Sequence, residues 1–502
     1  MVRTLSPLAL LVASGAAFTR PAQLPQSPWA VARFGRGRLS PLLVEQQVAE
    51  DQELGATSFQ PGIETSVLPG EEDNGPQLRG ILVLALACAI ATLSSLDRVM
   101  MSVAILPMST EMLYSDTTKG IIAAAFTTGY FMSFLPAGII AATLSPSATL
   151  TVGLIVWSAA QAATPSAAYL GLEPLLACRA LMGVGESCTF PSISAIAAAW
   201  VPEEFRSRFW GVLTGCFNIG TIAAYLVSPQ LIEEFGWPTT FVLYGLAGIG
   251  FTSLWALVGQ DAPSGPEQCV PEACPIPTDD LVLDSSPTTA WERAMALPWR
   301  EIATHKPVWA ITAGSAASNY FLYFAISWLP LYFSSHFGLD VNDASSASAA
   351  PFAAAAVGCA VAGSTADMLV ARGWDLTAVR KVAQLVGTLG PGTALLVLAW
   401  GSESLDYQTS LAVFIGALFL HAGGVAGYSV GVQDISRKSA SIISGATAGL
   451  GVMAGAASQF ITGAVLDSNG RDFVPVFCLA AAVQVVGAAA FSGWWDSERR
   501  FE

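Results

Sequence analysis

The sequence predicts an all-α membrane protein with twelve transmembrane helices in two six-helix halves. Its 502 residues are 53% apolar and only 12% charged, with a mean hydropathy of +0.55, whereas soluble proteins carry about 25% charged residues. Apolar runs long enough to cross a bilayer recur from residue 80 onward, with short polar breaks between them. A polar, proline-rich connection divides the runs into two groups of six.

The apolar runs define the domain boundaries. The first half, 80–259, holds runs near 81–106, 118–141, 148–168, 173–199, 208–229 and 239–259. A central loop, 260–307, follows it. The second half, 308–495, holds runs near 308–333, 346–368, 381–400, 409–431, 441–465 and 473–494, before a short tail at 496–502.

The first 44 residues are predicted to be a targeting presequence. Arg3 precedes an apolar run at 5–12 and a small-residue stretch ending at Ala17, which fits a secretory signal. Four arginines and no acid then precede Glu45, which is typical of a transit peptide. The combination resembles the two-part presequence of algae whose plastids lie within the secretory system; a plain signal peptide or disordered tail is the alternative. Residues 45–79 are acidic and predicted to be a disordered spacer.

Composition argues against several other classes. The net charge of −15 comes from acids in the first eighty residues and the central loop, which disfavours a nucleic-acid partner. The eight cysteines show no CxxC spacing, so no zinc site or disulfide framework is indicated. The sequence also shows no nucleotide-binding loop or catalytic triad. We therefore expect a protein that is not an enzyme and that uses no cofactor or metal ion.

Lysines and arginines in the short loops predict the orientation. Arg206, Arg372, Lys381 and Arg437 all fall in loops on the same side as both termini, whereas the opposite loops carry mainly acids. Because basic loops stay on the cytoplasmic side of a membrane, both termini should face the cytosol-equivalent compartment. In a plastid this compartment is the stroma.

Two charges lie within the fourth apolar run. Arg179 and Glu186 are seven residues apart, about two helical turns or 10 Å, along nearly one face. A charge inside a bilayer costs about 2.5 kcal/mol or more, so it requires a partner, a polar cavity or a function. We expect this face to line a polar path through the helices; a structural ion pair with a neighbouring helix is the alternative.

The first run carries a second charged pair, Asp97 and Arg98. Counting residues at about 1.5 Å each places Arg98 and Arg179 at similar depths in the outer half of the membrane. Two guanidinium groups at one level suit a carboxylate or phosphate group. We expect Asp97 to neutralise Arg98 when the site is empty, and Glu186 to hold Arg179 or carry a proton. The alternative for Arg98 is that it extends to the outer interface.

Several long segments resemble a known family. They include DRVMMSVAILPM, CRALMGVGESCTFPSISAIAAAWVPEEFRSR, SPQLIEEFGWPTTFVLYG, ISWLPLYF and QDISRKSASIISGATAGLGVMAG. These segments are similar to the anion–cation symporter branch of the major facilitator superfamily, which includes sodium/phosphate cotransporters, vesicular glutamate transporters and plant plastid anion transporters. The resemblance covers about residues 79–495 and implies the major facilitator fold, whose two six-helix halves are internal repeats.

The resemblance also implies roles for individual residues. Arg98 and Arg179 match the family's anion-binding charges, and Glu186 matches a coupling charge. Pro191 is expected to loosen the fourth helix. The vesicular glutamate members have a histidine where this chain has Ala123, and a basic residue in the seventh helix that this chain lacks. We therefore expect fewer cationic groups here than in a glutamate carrier.

Further candidates are polar or titratable side chains within the apolar runs. Tyr130, Asn319, Tyr320 and Tyr323 are candidate neutral donors at the cavity wall, with simple packing as the alternative. His421 is either a titrating group of the pathway or a satisfied core histidine.

The superfamily's gating motif is present in the second half, where the resemblance assigns gating to Gly363, Asp367, Arg372 and Arg380. In the first half the motif is degraded. Gly138 remains there, but Ala142 occupies the acidic position.

Together these observations predict a secondary active transporter of inorganic phosphate or a small organic anion such as ascorbate or a carboxylate. We expect alternating access in a monomer, driven by sodium, protons or membrane potential. The expected location is the plastid envelope of an alga with a secondary plastid, with a vesicular or plasma membrane as the alternative. A non-transporting anion receptor or membrane scaffold is the rival function.

Overall fold

A computed structural model describes residues 75–143, 145–262, 303–435 and 440–497. Within these ranges every regular element is a helix, which confirms the all-α prediction. The predicted presequence, most of the acidic spacer and most of the central loop lie outside the described residues, as does the end of the tail. All described residues belong to one compact unit, Asp73–Glu502.

The helices follow the predicted runs. In the first half they are α1 (Gly75–Glu111), α2 (Asp116–Thr143), α3 (Pro146–Leu170), α4 (Leu172–Glu186), α5 (Thr189–Trp200) and α6 (Glu203–Val258). In the second half they are α7 (Lys306–Phe337), α8 (Val341–Ala371), α9 (Leu376–Trp400), α10 (Tyr407–His421), α11 (Val430–Ile435), α12 (Ala440–Ser468) and α13 (Val474–Trp494). A π-helical turn, Val425–Ser429, joins α10 to α11. The first helix begins at Gly75, inside the range predicted to be spacer.

Three breaks reconcile these helices with twelve membrane crossings. The fourth run is divided between α4 and α5 at Ser187, whose carbonyl would have paired with the amide that Pro191 lacks. The fifth and sixth runs form one long helix, α6, whose backbone leaves the helical region at Gly236 (φ 80°, ψ 156°). The tenth run comprises α10, the π-helical turn and α11. By length and apolarity alone, seven of the described helical stretches qualify as membrane spans, with the bent α6 counted once.

Short polar residues begin several of these helices. Asp340, Asp375 and Asp406 cap α8, α9 and α10, each accepting a hydrogen bond from a backbone amide three residues on, at 2.7, 2.9 and 3.2 Å. Ser145 caps α3 in the same way, at 3.1 Å. Such caps satisfy amides that a helix leaves unpaired at its start. The hydrogen bonds from Thr409 also lower the pKa of Asp406 below its ordinary value.

The two halves meet along two helix pairs, α2 with α12 and α6 with α8. At the outer ends the first pair is tightly packed: a Cβ at Gly463 would lie 2.3 Å from the carbonyl oxygen of Asp116, and one at Gly120 would lie 2.6 Å from that of Gln459. At the inner ends, no described heavy atom lies within 4 Å of a Cβ at Gly138 or Gly445. The described halves are therefore closely packed at the outer side, whereas Gly138 and Gly445 make no such close approach at the inner side.

Charged side chains reinforce the outer closure. Arg471, which follows α12, donates from Nε to Asp116 Oδ2 at 2.6 Å, and Asp116 also receives Lys119 Nζ on Oδ1 at 2.7 Å. Asp467 of α12 accepts the backbone amides of Asp116 and Thr117 at 2.8 and 2.7 Å, at the positive end of α2. We call Asp116, Lys119, Asp467 and Arg471 the outer cluster.

Candidate functional site

A small cavity of about 30 Å³ lies between the halves, below the outer cluster. Helices α1, α2 and α4 line it from the first half, and α7 and α12 from the second. Its lining side chains include three cations and several polar groups: Arg98, Lys119, Arg179, Ser102, Tyr323, Ser327 and Gln459. Met101, Ile105, Phe126 and Trp328 are among the apolar residues that complete the wall.

Arg98 is paired across the first half with Glu186. Its Nε donates to Glu186 Oε1 at 3.0 Å, its Nη2 contacts the same oxygen, and Ser94 Oγ donates to that oxygen at 2.8 Å. Ser94 and Arg98 are one helical turn apart, so the same face of α1 presents both donors to α4. Glu186, 1% exposed, therefore neutralises Arg98 in this conformation.

Asp97 faces a different direction. It is fully buried, and its Oδ2 accepts a hydrogen bond from Trp157 Nε1 of α3 at 2.7 Å. Consecutive residues of a helix point about 100° apart, so Asp97 turns to α3 while Arg98 turns to the cavity. The expectation that Asp97 neutralises Arg98 and that Glu186 holds Arg179 is therefore wrong; Glu186 pairs with Arg98.

Arg179 is left without an acidic partner. Its residue is 2% exposed, its Nη1 lies 3.0 Å from Met182 Sδ, and its Nε has no hydrogen-bond partner. Its guanidinium carbon lies 5.4 Å from the centre of the Phe126 ring, and that of Arg98 lies 5.6 Å from the same centre. Both cations thus rest on one aromatic ring, a favourable arrangement for each. Within the described ranges, no carboxylate lies within salt-bridge distance of Arg179.

The neutral candidates separate into two groups. The Tyr130 ring lies 5.4 Å from the Arg98 guanidinium carbon, so it contributes to the same site. Asn319 instead donates to the carbonyl of Ser315 on its own helix at 2.9 Å, and Tyr320 is packed in the apolar core of the second half. Neither Asn319 nor Tyr320 lines the cavity, so the packing alternative describes both in this conformation.

Sequence reasoning missed four polar residues of the cavity, namely Ser102, Lys119, Ser327 and Gln459. Lys119 lines the cavity at the outer end of α2. Gln459 of α12 accepts from Thr127 Oγ1 and donates to Ser327 Oγ, both at 2.8 Å, and so connects α2 to the second half. A signal existed for Lys119, a basic residue on the side where the loops carry mainly acids. None marked Gln459 or Ser327 before the helices were placed. Lys119 adds a third cation to the two arginines that the sequence identified.

The remaining candidates lie elsewhere. His421 packs against Phe321, with ring centres 5.2 Å apart, and is absent from the cavity wall. Asp367 and Arg372 are exposed at the inner end of α8. No described heavy atom lies within 4 Å of a Cβ at Gly363 on the same helix.

Arg380, the fourth gating candidate, is engaged within its own half. Its Nε donates to Asp434 Oδ2 at 2.7 Å and its Nη1 to the carbonyl of Ala426 at 3.2 Å. These contacts join α9 to the tenth crossing.

Comparison with known proteins identifies the family to which this fold belongs. The family model described as Major Facilitator Superfamily matches residues 87–441. The chain belongs to the major facilitator superfamily. Within it, the chain is a member of the anion–cation symporter branch, as the sequence motifs predicted. It is similar to a sodium-dependent phosphate transport protein 1, chloroplastic, of Arabidopsis thaliana, with 32% identity over 420 residues, 83% of this chain and 79% of the relative.

Two further likenesses support the superfamily assignment. An ascorbate transporter, chloroplastic, of Arabidopsis thaliana is 30% identical over 418 residues, 83% of this chain and 75% of the relative. A solved structure of a bacterial homologue of the human lysosomal transporter Spinster, inward-facing and unoccupied, superposes with a TM-score of 0.62 at 19% identity. That likeness covers 82% of this chain and 94% of the other, and it confirms the major facilitator fold.

Proposed function

We propose that this superfamily member is a secondary transporter that moves inorganic phosphate or a small organic anion, such as ascorbate or a carboxylate, by alternating access. The observation that carries the proposal is Arg179, a buried guanidinium that lines the cavity and has no described carboxylate partner. A buried, unpaired charge is costly. A bound anion would supply the missing counter-charge through a planar fork of donors.

The geometry supports a transport cycle. The anion enters from the inner side and binds against Arg179 beside the Arg98–Glu186 pair. Rocking of the halves would then separate the outer cluster and close the inner ends of α2 and α12 around the same site. Glu186 is placed to carry the coupling proton, because protonating it would release Arg98 to the anion. Sodium or the membrane potential is the other candidate driving force.

The proposal also concerns the cellular membrane in which the protein lies. The two relatives described above are chloroplastic, and the presequence predicted for residues 1–44 has a signal followed by a transit-like stretch. We assign the protein to a plastid envelope membrane, in an alga with a secondary plastid. A fluorescent protein fused after residue 75 tests this: labelling of secretory vesicles or the plasma membrane, instead of the plastid rim, would contradict it.

Uptake into proteoliposomes tests the function. Labelled phosphate, ascorbate and glutamate are offered with and without a sodium or proton gradient. We expect saturable uptake of at least one anion by the wild type. Arg179→Ala should lower uptake at subsaturating anion by roughly tenfold to a hundredfold, since charged hydrogen bonds contribute about 1.5–3 kcal/mol. Arg79→Ala, at an exposed arginine near the start of α1, is the matched control and should retain uptake.

The receptor alternative predicts a different result. If the wild type binds one of the anions in detergent but moves none of them across the vesicle membrane, and Arg179→Ala abolishes the binding, the protein is a receptor with a transporter fold. If the wild type neither binds nor moves any of the three, an anion site at Arg179 is refuted.

A further inference from the structure

Lys119 reaches the cavity from the outer end of α2. Its residue is 5% exposed, and it lines the cavity together with both arginines. Lys119, Ala123 and Phe126 are spaced by four and three residues, so they share one face of the helix. The Phe126 ring supports both arginines, and Lys119 begins about 10 Å further outward along this face. The cavity therefore has cations at both ends of one continuous wall.

Asp116 is the residue that holds Lys119 in this structure. Its Oδ1 receives Lys119 Nζ at 2.7 Å while its Oδ2 receives Arg471 Nε at 2.6 Å. The nearby Asp467 is occupied by the backbone amides of Asp116 and Thr117. The Asp116 carboxylate thus forms ion pairs with two cations, Lys119 and Arg471. Arg471 alone suffices to join Asp116 to the other half, so the link between the halves does not require Lys119.

We infer that Lys119 is a third anion-binding residue of the transport cavity and that Asp116 competes with the transported anion for it. An anion that moves along this wall between Arg179 and the outer side meets Lys119, whose ammonium group then exchanges one negative partner for another. The exchange leaves no buried cation unpaired. Asp116 then keeps Arg471, so the outer closure holds while the anion is bound. This inference rests on the proposed function, because the ligand in question is the transported anion.

Competition makes a prediction that a purely structural ion pair does not. Lys119→Met keeps the length of the side chain and removes its charge, so it should raise the KM for the transported anion by about tenfold or more. Asp116→Asn keeps the shape but removes the competitor, so it should lower the KM. Lys119→Arg should restore a KM close to the wild-type value. If the Lys119–Asp116 pair were purely structural, Lys119→Met and Asp116→Asn would both break it. The KM would then shift in the same direction in both variants.

Arg471→Gln is the matched control for Asp116→Asn. Both variants remove the ion pair between the halves, but only Arg471→Gln leaves Asp116 bound to Lys119, so it should not lower the KM. The uptake assay uses whichever of phosphate, ascorbate and glutamate the wild type moves. The Kd for that anion, from heat of binding to the detergent-purified protein, is measured in parallel. Size-exclusion profiles verify that each variant is folded.

The outcomes separate this inference from the proposed function. Opposite shifts of KM and Kd in Lys119→Met and Asp116→Asn support the competition. Shifts in the same direction, or unchanged values in Lys119→Met, overturn it even if Arg179→Ala abolishes uptake. A lowered KM in Arg471→Gln also overturns it, because loosening of the halves would then explain the Asp116 result. If the wild type binds none of the three anions, the proposed function fails and this inference fails with it.

Discussion

At the residue scale, the site is organised around one aromatic ring and one ion pair. Phe126 lies beneath both arginines, and Glu186 neutralises only Arg98. The sequence identified the two arginines and Glu186, because charges inside apolar runs stand out. It could not identify their partners, since pairing depends on how α1 and α4 are rotated about their axes. Asp97 shows this: it adjoins Arg98 in the chain yet binds Trp157 on α3.

Replacement of Glu186 by glutamine tests whether Glu186 keeps Arg98 from binding the anion. Glu186→Gln removes the negative charge that holds Arg98, so both arginines become available to an anion. We expect the Kd for the transported anion to fall several-fold while the uptake rate driven by a proton gradient also falls, because the exchangeable proton is lost. Anion-binding calorimetry and uptake measured with and without the gradient check the two effects. A weakened affinity would show that the pair positions Arg98 for binding.

At the element scale, close helix packing fixes the depth of the arginines. A Cβ at Gly183 of α4 would lie 2.2 Å from the carbonyl oxygen of Phe126 and 2.7 Å from the amide nitrogen of Tyr130. Only a glycine permits this approach of α4 to α2, and it places Arg179 over the Phe126 ring. Small residues such as glycine allow this kind of close helix contact. The sequence could not show which helix would approach, because that choice is made by the packing of the whole half.

Two separate glycine-to-alanine variants test the contact between α4 and α2. Gly183→Ala forces α4 away from α2, and overpacking of this kind typically costs about 1–3 kcal/mol. We expect a lower melting temperature in detergent and a higher KM for the anion, because Arg179 is displaced from Phe126. Gly250→Ala is the control, since no described heavy atom lies within 4 Å of a Cβ there. Equal melting temperatures for the two variants would contradict the packing argument.

At the scale of the whole molecule, the described helices of the two halves pack closely at the outer side. The orientation expected from the basic loops stays a prediction. The twelve crossings were predictable from the apolar runs. The conformation was not, because one sequence encodes both the inward- and the outward-facing arrangement and only the inter-helix contacts distinguish them. Here Glu233 of α6 receives a hydrogen bond from Asn342 of α8, and Tyr225 of α6 donates to the carbonyl of Ile326 at 2.8 Å.

A reversible cross-link tests the conformational cycle. In a chain whose native cysteines are replaced, Glu233→Cys and Asn342→Cys bring two thiols together where the outer bend of α6 meets the start of α8. Oxidation should form a disulfide that holds the outer side closed, so uptake should stop and return after reduction. Each single-cysteine variant serves as the control and should be insensitive to oxidant. Continued uptake by the fully cross-linked protein would show that the outer bend of α6 and the start of α8 need not separate.

The outer cluster also ties the protein to the salt content of the compartment that it faces. Arg471 is 53% exposed at its side chain, so dissolved ions screen its attraction to Asp116, whereas the Lys119–Asp116 pair beneath it is only 5% and 2% exposed. At 0.15 M salt, exposed charges more than about 8 Å apart hardly interact, and more dilute solutions extend that range. Concentrated salt therefore weakens the attraction of Arg471 to Asp116 more than it weakens the buried Lys119–Asp116 pair.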